Sequence, residues 1–292
     1  MALTEAELMQ TAGKGLRVLP FTIDDIPFGK SLTDAEGWGY TTTDWKRLTR
    51  LEPDGAFKAT IDGKDVGTTA CIAFDKVAWI HSVVVRKEFR GLGIGDSLIQ
   101  ACLSFLSRRG IPCVKLDSNP GVEPFYERVG FQREFLSVRY VGQGREFQTR
   151  ARTLGPGDYE NVFAFDRMWT GLDRRRVLNA IFEDFPQSGF VVRDRERTLG
   201  YLVVRKGPPW NSVGPCVTRG ADSAVAKELL QAVLNSAPGE DFHVCVGDFN
   251  RASCALLERL GFKRESHCTR MFLGKRFEES ETTFAMISAQ KG

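Results

Sequence analysis

The run Arg90-Gly91-Leu92-Gly93-Ile94-Gly95 sets three alternate glycines between an apolar stretch ending at Val85 and a helical stripe beginning near Asp96. Glycines at a strand-to-helix junction let the backbone approach an anion closely. The free N–H groups of the helix's first turn then point at it with the positive end of the helix dipole. The chemistry such a junction supports is the cradling of a pyrophosphate-like group. No Lys-Ser/Thr pair follows the glycines, which excludes a Walker loop, and the run follows an antiparallel meander instead of opening a βαβ unit, which excludes a Rossmann fingerprint. A glycine-rich structural turn explains the same residues equally well at this point. His81, four residues before Val85, adds an imidazole that titrates near working pH and is a candidate base, although a lone strand histidine also serves as a structural residue. The seven cysteines are odd in number, form no C-x-x-C pair and mostly sit in apolar runs. Buried reduced thiols are expected, not a disulfide framework or zinc site, and with only three histidines no metal is expected.

The elements that position these residues follow from composition and pattern. The chain has 292 residues, 42% hydrophobic and 26% charged, which fits about two globular domains and excludes collagen, disorder and coiled coil. A net charge of +3 is too small to imply a nucleic-acid or polybasic membrane surface. No apolar run approaches a membrane helix, and Met1-Ala2-Leu3-Thr4-Glu5 lacks the regions of a signal peptide, so a cytoplasmic protein is expected. The chain also repeats itself. PFYERVGFQRE (Pro124 to Glu134) returns as ALLERLGFKRE (Ala255 to Glu265), and the same shift of 131 lays LIQACL (Leu98 to Leu103) on LLQAVL (Leu229 to Leu234) and Asn119 on Asn250. Two homologous copies follow, 1–144 and 145–292, joined near Gly142 to Glu146. In the first, strands are expected at Leu16–Pro20, Ala56–Ile61, Val66–Phe74, Val77–Val85, Cys113–Asp117 and Phe131–Val141. Helices are expected at Ile23–Leu32, Thr43–Leu51, from Gly95 to Gly110, and Val122–Val129. This order describes an α/β domain with a mixed, mostly antiparallel sheet flanked by helices.

Here the residues match a family. VVVRKEFRGLGIGDSLI resembles the R-x-x-G-x-G/A motif of the GNAT superfamily of N-acetyltransferases. NPGVEPFYERVGF resembles its second signature, an Asn followed seven residues later by Tyr and then by Gly-Phe. The resemblance covers the whole first copy and implies tandem GNAT folds with acetyl-CoA as co-substrate. It implies that the pyrophosphate lies on the N–H groups of Arg90, Gly91, Leu92, Gly93, Ile94, Gly95 and Asp96. The pantetheine arm would pair like a strand with Val83, Val84 and Val85 in a V-shaped gap between two strands. Asn119 would bond that arm or cap the helix from Val122. Tyr126 would protonate the departing thiolate, since a phenol near ~10 is a suitable acid towards a thiolate whose thiol is near ~8.5; otherwise it is a core aromatic. The segment WIHSVVVRKEFRGLG resembles the arylalkylamine N-acetyltransferases, in which a histidine at the place of His81 helps to deprotonate the amine through water. Trp79 stands where those enzymes carry a second histidine, so a two-histidine relay does not transfer. Ser82 is expected on the opposite sheet face from His81.

The second copy resembles, more loosely, the C-terminal domain of two-domain bacterial GNAT proteins through FDRMWTGLDRR and VGPCV. The ungapped shift puts Asp222, Ala224 and Ala226 where Gly91, Gly93 and Gly95 stand, Leu257 at Tyr126 and Ser212 at His81. That copy is expected to be catalytically silent, with a structural or acceptor-site role. Its aromatics Phe165, Trp169, Trp210 and Phe249 are expected in the core more readily than around a ligand. Acceptors in the superfamily approach from the side of the first two helices, where Phe28, Trp38, Tyr40 and Trp45 lie among Asp34, Glu36 and Asp44; packing helices onto the sheet is the alternative. The expected function is transfer of acetyl to a small primary amine or amino-acid-like acceptor by direct attack in a ternary complex, with no nucleic-acid or membrane partner. A protein lysine or N-terminus is the alternative acceptor, and an acyl-CoA-binding sensor the alternative function. The oligomeric state is open, a homodimer among the choices.

Overall fold

The computed structural model describes residues 15–207 and 210–288; the segment Met1 to Glu5, read above for a signal peptide, lies outside them. By contacts the chain forms two compact units, one of residues up to Leu116 with Phe272–Arg276, the other of Asp117–Met271 with the residues from Phe277 onward. The sequence repeat divides at Gly144, whereas the contact division falls after Leu116. Each copy has lent part of itself to the other unit.

In the first unit the strands run in the order β1 (Leu16–Pro20), β2 (Ala56–Ile61), β3 (Lys64–Phe74), β4 (Val77–Val85) and the start of β5 (Cys113–Ser118). The first four form an antiparallel meander, and β5 is parallel to β4. The chain's late residues join this sheet at β5, where the Lys275 N–H donates to the Pro112 carbonyl at 2.8 Å. Helices α1 (Ile26–Ala35) and α2 (Thr42–Leu51) cover one face. Helix α2 starts where Thr41 and Asp44 cap one another: the Asp44 N–H donates to Thr41 Oγ1 at 3.1 Å and the Thr41 N–H to Asp44 Oδ2 at 3.0 Å. Its Trp45 and Leu48 pack with Phe21, Ile26, Tyr40, Ala56 and Ala70. Helix α3 (Ile94–Arg108) covers the other face, with Ile94 and Leu98 against Leu16, Ala59 and Val66. Each such side chain taken wholly from water contributes about 1.5–3 kcal/mol.

In the second unit the order is the start of β12 (Lys263–Gly274), then β6 (Gln132–Gln143), β11 (Asp241–Gly247), β10 (Asn211–Thr218), β9 (Arg197–Arg205), β8 (Gly189–Asp194) and β7 (Arg152–Thr153), with β13 (Thr283–Ala285) also paired to β10. Strand β6, from the first copy, forms a seven-pair antiparallel ladder with β11 of the second, from Asp241 opposite Gln143 to Gly247 opposite Ser137. Helix α7 (Ser223–Asn235) packs Val225, Leu229 and Val233 on Val138, Tyr140, Leu202 and Val244. Helices α5 (Tyr159–Thr170) and α6 (Arg175–Asp184) follow β7, and short helices α4 (Glu123–Arg128) and α8 (Arg251–Arg259) follow β5 and β11. The segment Arg193 to Arg197 makes the hairpin turn between β8 and β9, with Arg195 at φ 51°.

Two buried ion groups tie this unit. Arg174 is held by both oxygens of Asp166, at 3.0 and 2.6 Å, and Tyr201 donates to Asp166 Oδ1 at 2.5 Å. Arg270, wholly buried, pairs with Asp117 at 2.9 Å and Glu279 at 2.5 Å. Removing one partner from such a pair strands a buried charge and costs about 3–5 kcal/mol. The seven cysteines are free thiols, four of them buried.

Candidate active site

The candidate residues fall into two sets. In the first unit, β4 pairs with β5 only from Val77 to Trp79, opposite Cys113 to Lys115. The register with β5 ends at Trp79, and from Ser82 to Val85 that edge of β4 has no strand partner among the described residues. This is the gap expected at Val83, Val84 and Val85. The strand also bulges there: His81 lies opposite Ala70 and Val84 opposite Thr68, so that Ser82 and Val83 face a single residue, and Ser82 takes φ 55°. The bulge corrects one expectation. Strict alternation sends Ser82 away from His81, whereas the extra residue brings its Oγ to 3.0 Å from His81 Nδ1. His81 is buried and, as Ala70's partner, lies on the sheet face covered by α1 and α2.

The glycine run follows. Gly91 and Gly93 have φ 82° and 75°, and a Cβ on either would meet nothing within 4 Å. They are glycine for their backbone conformation and for the open approach it leaves. Gly93 is the N-cap of α3 and no side chain caps the helix, so the N–H groups of its first turn, at Ile94, Gly95 and Asp96, are directed outward. Leu92 is 59% exposed. Arg90 is fastened, donating from Nε to the Val85 carbonyl at 3.0 Å and from its terminal nitrogen to Glu36 at 2.6 Å. These groups fit a pyrophosphate with an extended arm: outward N–H donors, no obstructing side chain, and an unpaired strand edge beside them.

On the acceptor side, Tyr40 and Trp45 are core residues, their rings 5.8 Å apart. Phe28 and Trp38 are half-buried at the edge of that core, with the Arg86 guanidinium 5.4 Å from the Phe28 ring centre. Packing therefore accounts for Tyr40, and leaves Phe28 and Trp38 with free surface.

In the second unit, Tyr126 is buried on α4 between Phe125 at 4.8 Å and Phe131 at 6.0 Å. Burial, reinforced by Cys268, pushes its phenol well above the usual tyrosine range. Tyr126 thus keeps its O–H throughout the neutral range. Asn119 does not cap α4, which lacks a side-chain cap; its Oδ1 accepts from the Cys268 thiol at 3.5 Å. Burial and then the Asp117 carboxylate push that thiol up to about 12, so it remains a donor. Cys268 is not among the residues singled out above, and a lone cysteine in the mostly polar run Lys263 to Arg270 carries no local signal.

The second copy is built on the same plan with its openings filled. Strands β10 and β11 pair over Asn211–Val213, as β4 and β5 do over three residues, and β10 then bulges at Gly214-Pro215. The bulge places Val213, not Ser212, at the position of His81. Strand β13 occupies the gap beyond: Ala285 pairs with Cys216 and Thr283 with Val217, while the Met286 N–H donates to the Cys245 carbonyl of β11 at 2.9 Å. Asn250, the counterpart of Asn119, donates from Nδ2 to the carbonyls of Glu281 and Thr283 at 2.9 and 3.0 Å. At the start of α7, Asp222 Oδ1 accepts from the N–H groups of Ala224 and Val225 at 2.8 and 3.2 Å. The carboxylate sits where the first copy's helix offers bare N–H groups. This cap was legible as Asp-Ser before an apolar helical run. Phe165, Trp169, Trp210 and Phe249 belong to separate packed rings, Phe165 with Tyr201, Trp210 with His243, Phe249 with Phe135. Among the described residues no group of three or more His, Cys, Asp or Glu could hold a metal, and no helix is long and apolar enough to cross a membrane.

Comparison with known proteins places this architecture. Residues 26–131 match the acetyltransferase (GNAT) family model, and residues 162–285 match a further acetyltransferase (GNAT) domain model. Holothin acyltransferase of Pseudoalteromonas sp. (strain SANK 73390) is 23% identical over 261 residues, 88% of this chain and 87% of that one. An N-alpha-acetyltransferase of Arabidopsis thaliana is 30% identical over 129 residues, 41% of this chain and 68% of its own. The crystal structure of an acetyltransferase from Pyrococcus horikoshii superposes with a TM-score of 0.82 at 22% identity, covering 96% of each chain. One copy with an open strand edge and bare helix start, a second with both filled, and a matching model for each lead to one assignment: the chain belongs to the GNAT superfamily of acyltransferases, with two GNAT domains in tandem.

Proposed function

We propose that the chain transfers acetyl from acetyl-CoA to a small primary amine or amino-acid-like acceptor, by direct attack of the amine in a ternary complex, using the first copy's cleft. The observation that carries this reading is the β4 edge from Ser82 to Val85, beyond the end of its pairing with β5, leading into a helix whose first turn has no side-chain cap. Acetyl-CoA supplies the activated acetyl thioester. The N–H groups of Gly91 to Asp96 take the pyrophosphate, and the backbone of Val83 to Val85 aligns the pantetheine arm. His81 serves the amine's proton through water, its ring held by the 3.0 Å contact between Nδ1 and Ser82 Oγ. Tyr126 presents its O–H to the leaving sulfur.

A small acceptor is favoured over a protein terminus by the pattern of relatives. Those named N-alpha-acetyltransferase align over 129 and 101 residues, about one copy. The relative aligned along nearly all of both chains is named for holothin. Turnover of acetyl-CoA across an amine panel tests the reading, with Tyr126→Phe and His81→Ala beside wild type. Tyr126→Phe should lower kcat about 10²-fold or more with acetyl-CoA binding kept, and His81→Ala should remove the acid limb of the pH profile. Unchanged turnover in Tyr126→Phe would sink the assigned acid. Tight CoA binding without acetylation of any amine would favour an acyl-CoA sensor.

A further inference from the structure

Three consecutive residues of β12, from the second copy, grip the first copy's segment around Tyr126. Cys268 Sγ donates to Asn119 Oδ1 at 3.5 Å, Thr269 Oγ1 to Glu123 Oε1 at 2.7 Å, and Arg270 Nε to Asp117 Oδ1 at 3.1 Å. Glu123 in turn accepts from the Gly121 N–H at 2.7 Å. Asp117 and Glu123 are thereby braced on either side of Asn119, so its backbone is fixed and only the carboxamide rotation is left to set. A carboxamide has one accepting and one donating end, and engaging the oxygen turns the NH₂ group the other way. The second copy shows the result. Asn250 Oδ1 accepts from the Ser253 N–H at 3.0 Å, and its Nδ2 then holds two carbonyls of the extended chain lying in that cleft.

We propose that Cys268 is a positioning residue for the first copy's transferase, its thiol engaging Asn119 Oδ1 so that Nδ2 is presented to the carbonyls of an acyl-CoA arm. The inference rests on the acyl-CoA reading above and goes beyond it, because it makes the silent copy a working part of the active one. The Ser253 backbone N–H does for Asn250 what a side chain from the far end of the chain does for Asn119.

The test uses the full chain as wild type, Cys268→Ala, Cys268→Ser and Asn119→Ala, with three readouts. These are the side-chain amide resonances of Asn119 in the ligand-free protein, the Kd of CoA by calorimetry, and kcat with KM for acetyl-CoA. Cys268→Ala should shift the Asn119 amide pair and weaken CoA about fivefold, the worth of one neutral hydrogen bond, with kcat within about twofold. Cys268→Ser should restore both, and Cys268→Ala should add nothing in an Asn119→Ala background. Unaltered resonances and Kd in Cys268→Ala, or equal weakening in the Asn119→Ala background, overturn the inference while CoA still binds. A wild-type chain that binds no CoA overturns the acyl-CoA reading itself, a separate result because the resonances report orientation without ligand.

Discussion

The two clefts of this chain differ in who satisfies their backbone. Where strands part and a helix begins, N–H and C=O groups are left over, and they must meet water, a ligand or protein. In the second copy they meet protein: β13 pairs into the gap and Asp222 caps α7. In the first, among the described residues, no strand pairs with β4 on that side from Ser82 to Val85 and no side chain caps the start of α3. The filled cleft teaches what the open one is shaped for, an extended amide-bearing chain with an anion at the helix end. An arm of acyl-CoA has that chemistry.

The comparison can be broken at several points. The largest effect is expected from Phe284→Ala, which empties a side chain 1% exposed in the filled cleft; urea unfolding should show a loss of about 3–5 kcal/mol. CoA stoichiometry should remain one per chain; a second site appearing would overturn the silence of that cleft. Next comes Gly93→Asp, which places a carboxylate at the open helix start. CoA affinity should fall by about tenfold or more beyond the loss in Gly93→Ala, which carries the same backbone strain without the charge. Equal losses in the two variants would deny the helix start its anion. Asp222→Ala should lower stability by about 1 kcal/mol, read as a fall in Tm, without creating CoA binding.

The last effect concerns acid and is confined to a narrow pH window. Asp158, held mainly by the Arg152 guanidinium, has its carboxyl lowered to about 2 from an ordinary 3.8. The folded chain therefore binds fewer protons than the unfolded one between those values. Its stability contribution is present above about pH 4 and is lost as pH falls towards 2. Acid titration of Asp158→Asn should show a shallower decline over that window, and an unchanged slope would remove the linkage.

Much of this was legible in the chain. The bounds of β1, β2 and β4 were legible in the apolar runs, with β2 ending at the Asp62-Gly63 turn and β4 starting after Asp75-Lys76, and the spacing of Asn119 and Tyr126 identified the second signature. Alternation, however, assigns faces and not partners. Nothing in Gln132–Gln143 says that its ladder forms with Asp241–Gly247, because that depends on which strand competes for the edge. The bulge at Ser82 is equally hidden, since serine is no marker of φ 55°. Strand β13 is three residues long, too short for any period to register, and Cys268 acquires its role only through a neighbour far away in sequence. Spacing also does not reveal that Tyr40 is buried in the cluster with Phe21 and Trp45 while Phe28 and Trp38 are only partly covered.

The lent strand has a consequence for how the chain is made. The first unit includes Phe272–Arg276, so its sheet cannot be completed while the ribosome is still reading the second copy. At roughly 5–20 residues per second, the step from Gly144 to Arg276 takes on the order of ten seconds. Through that interval the edge of β5 waits, exposed, for a strand not yet synthesised.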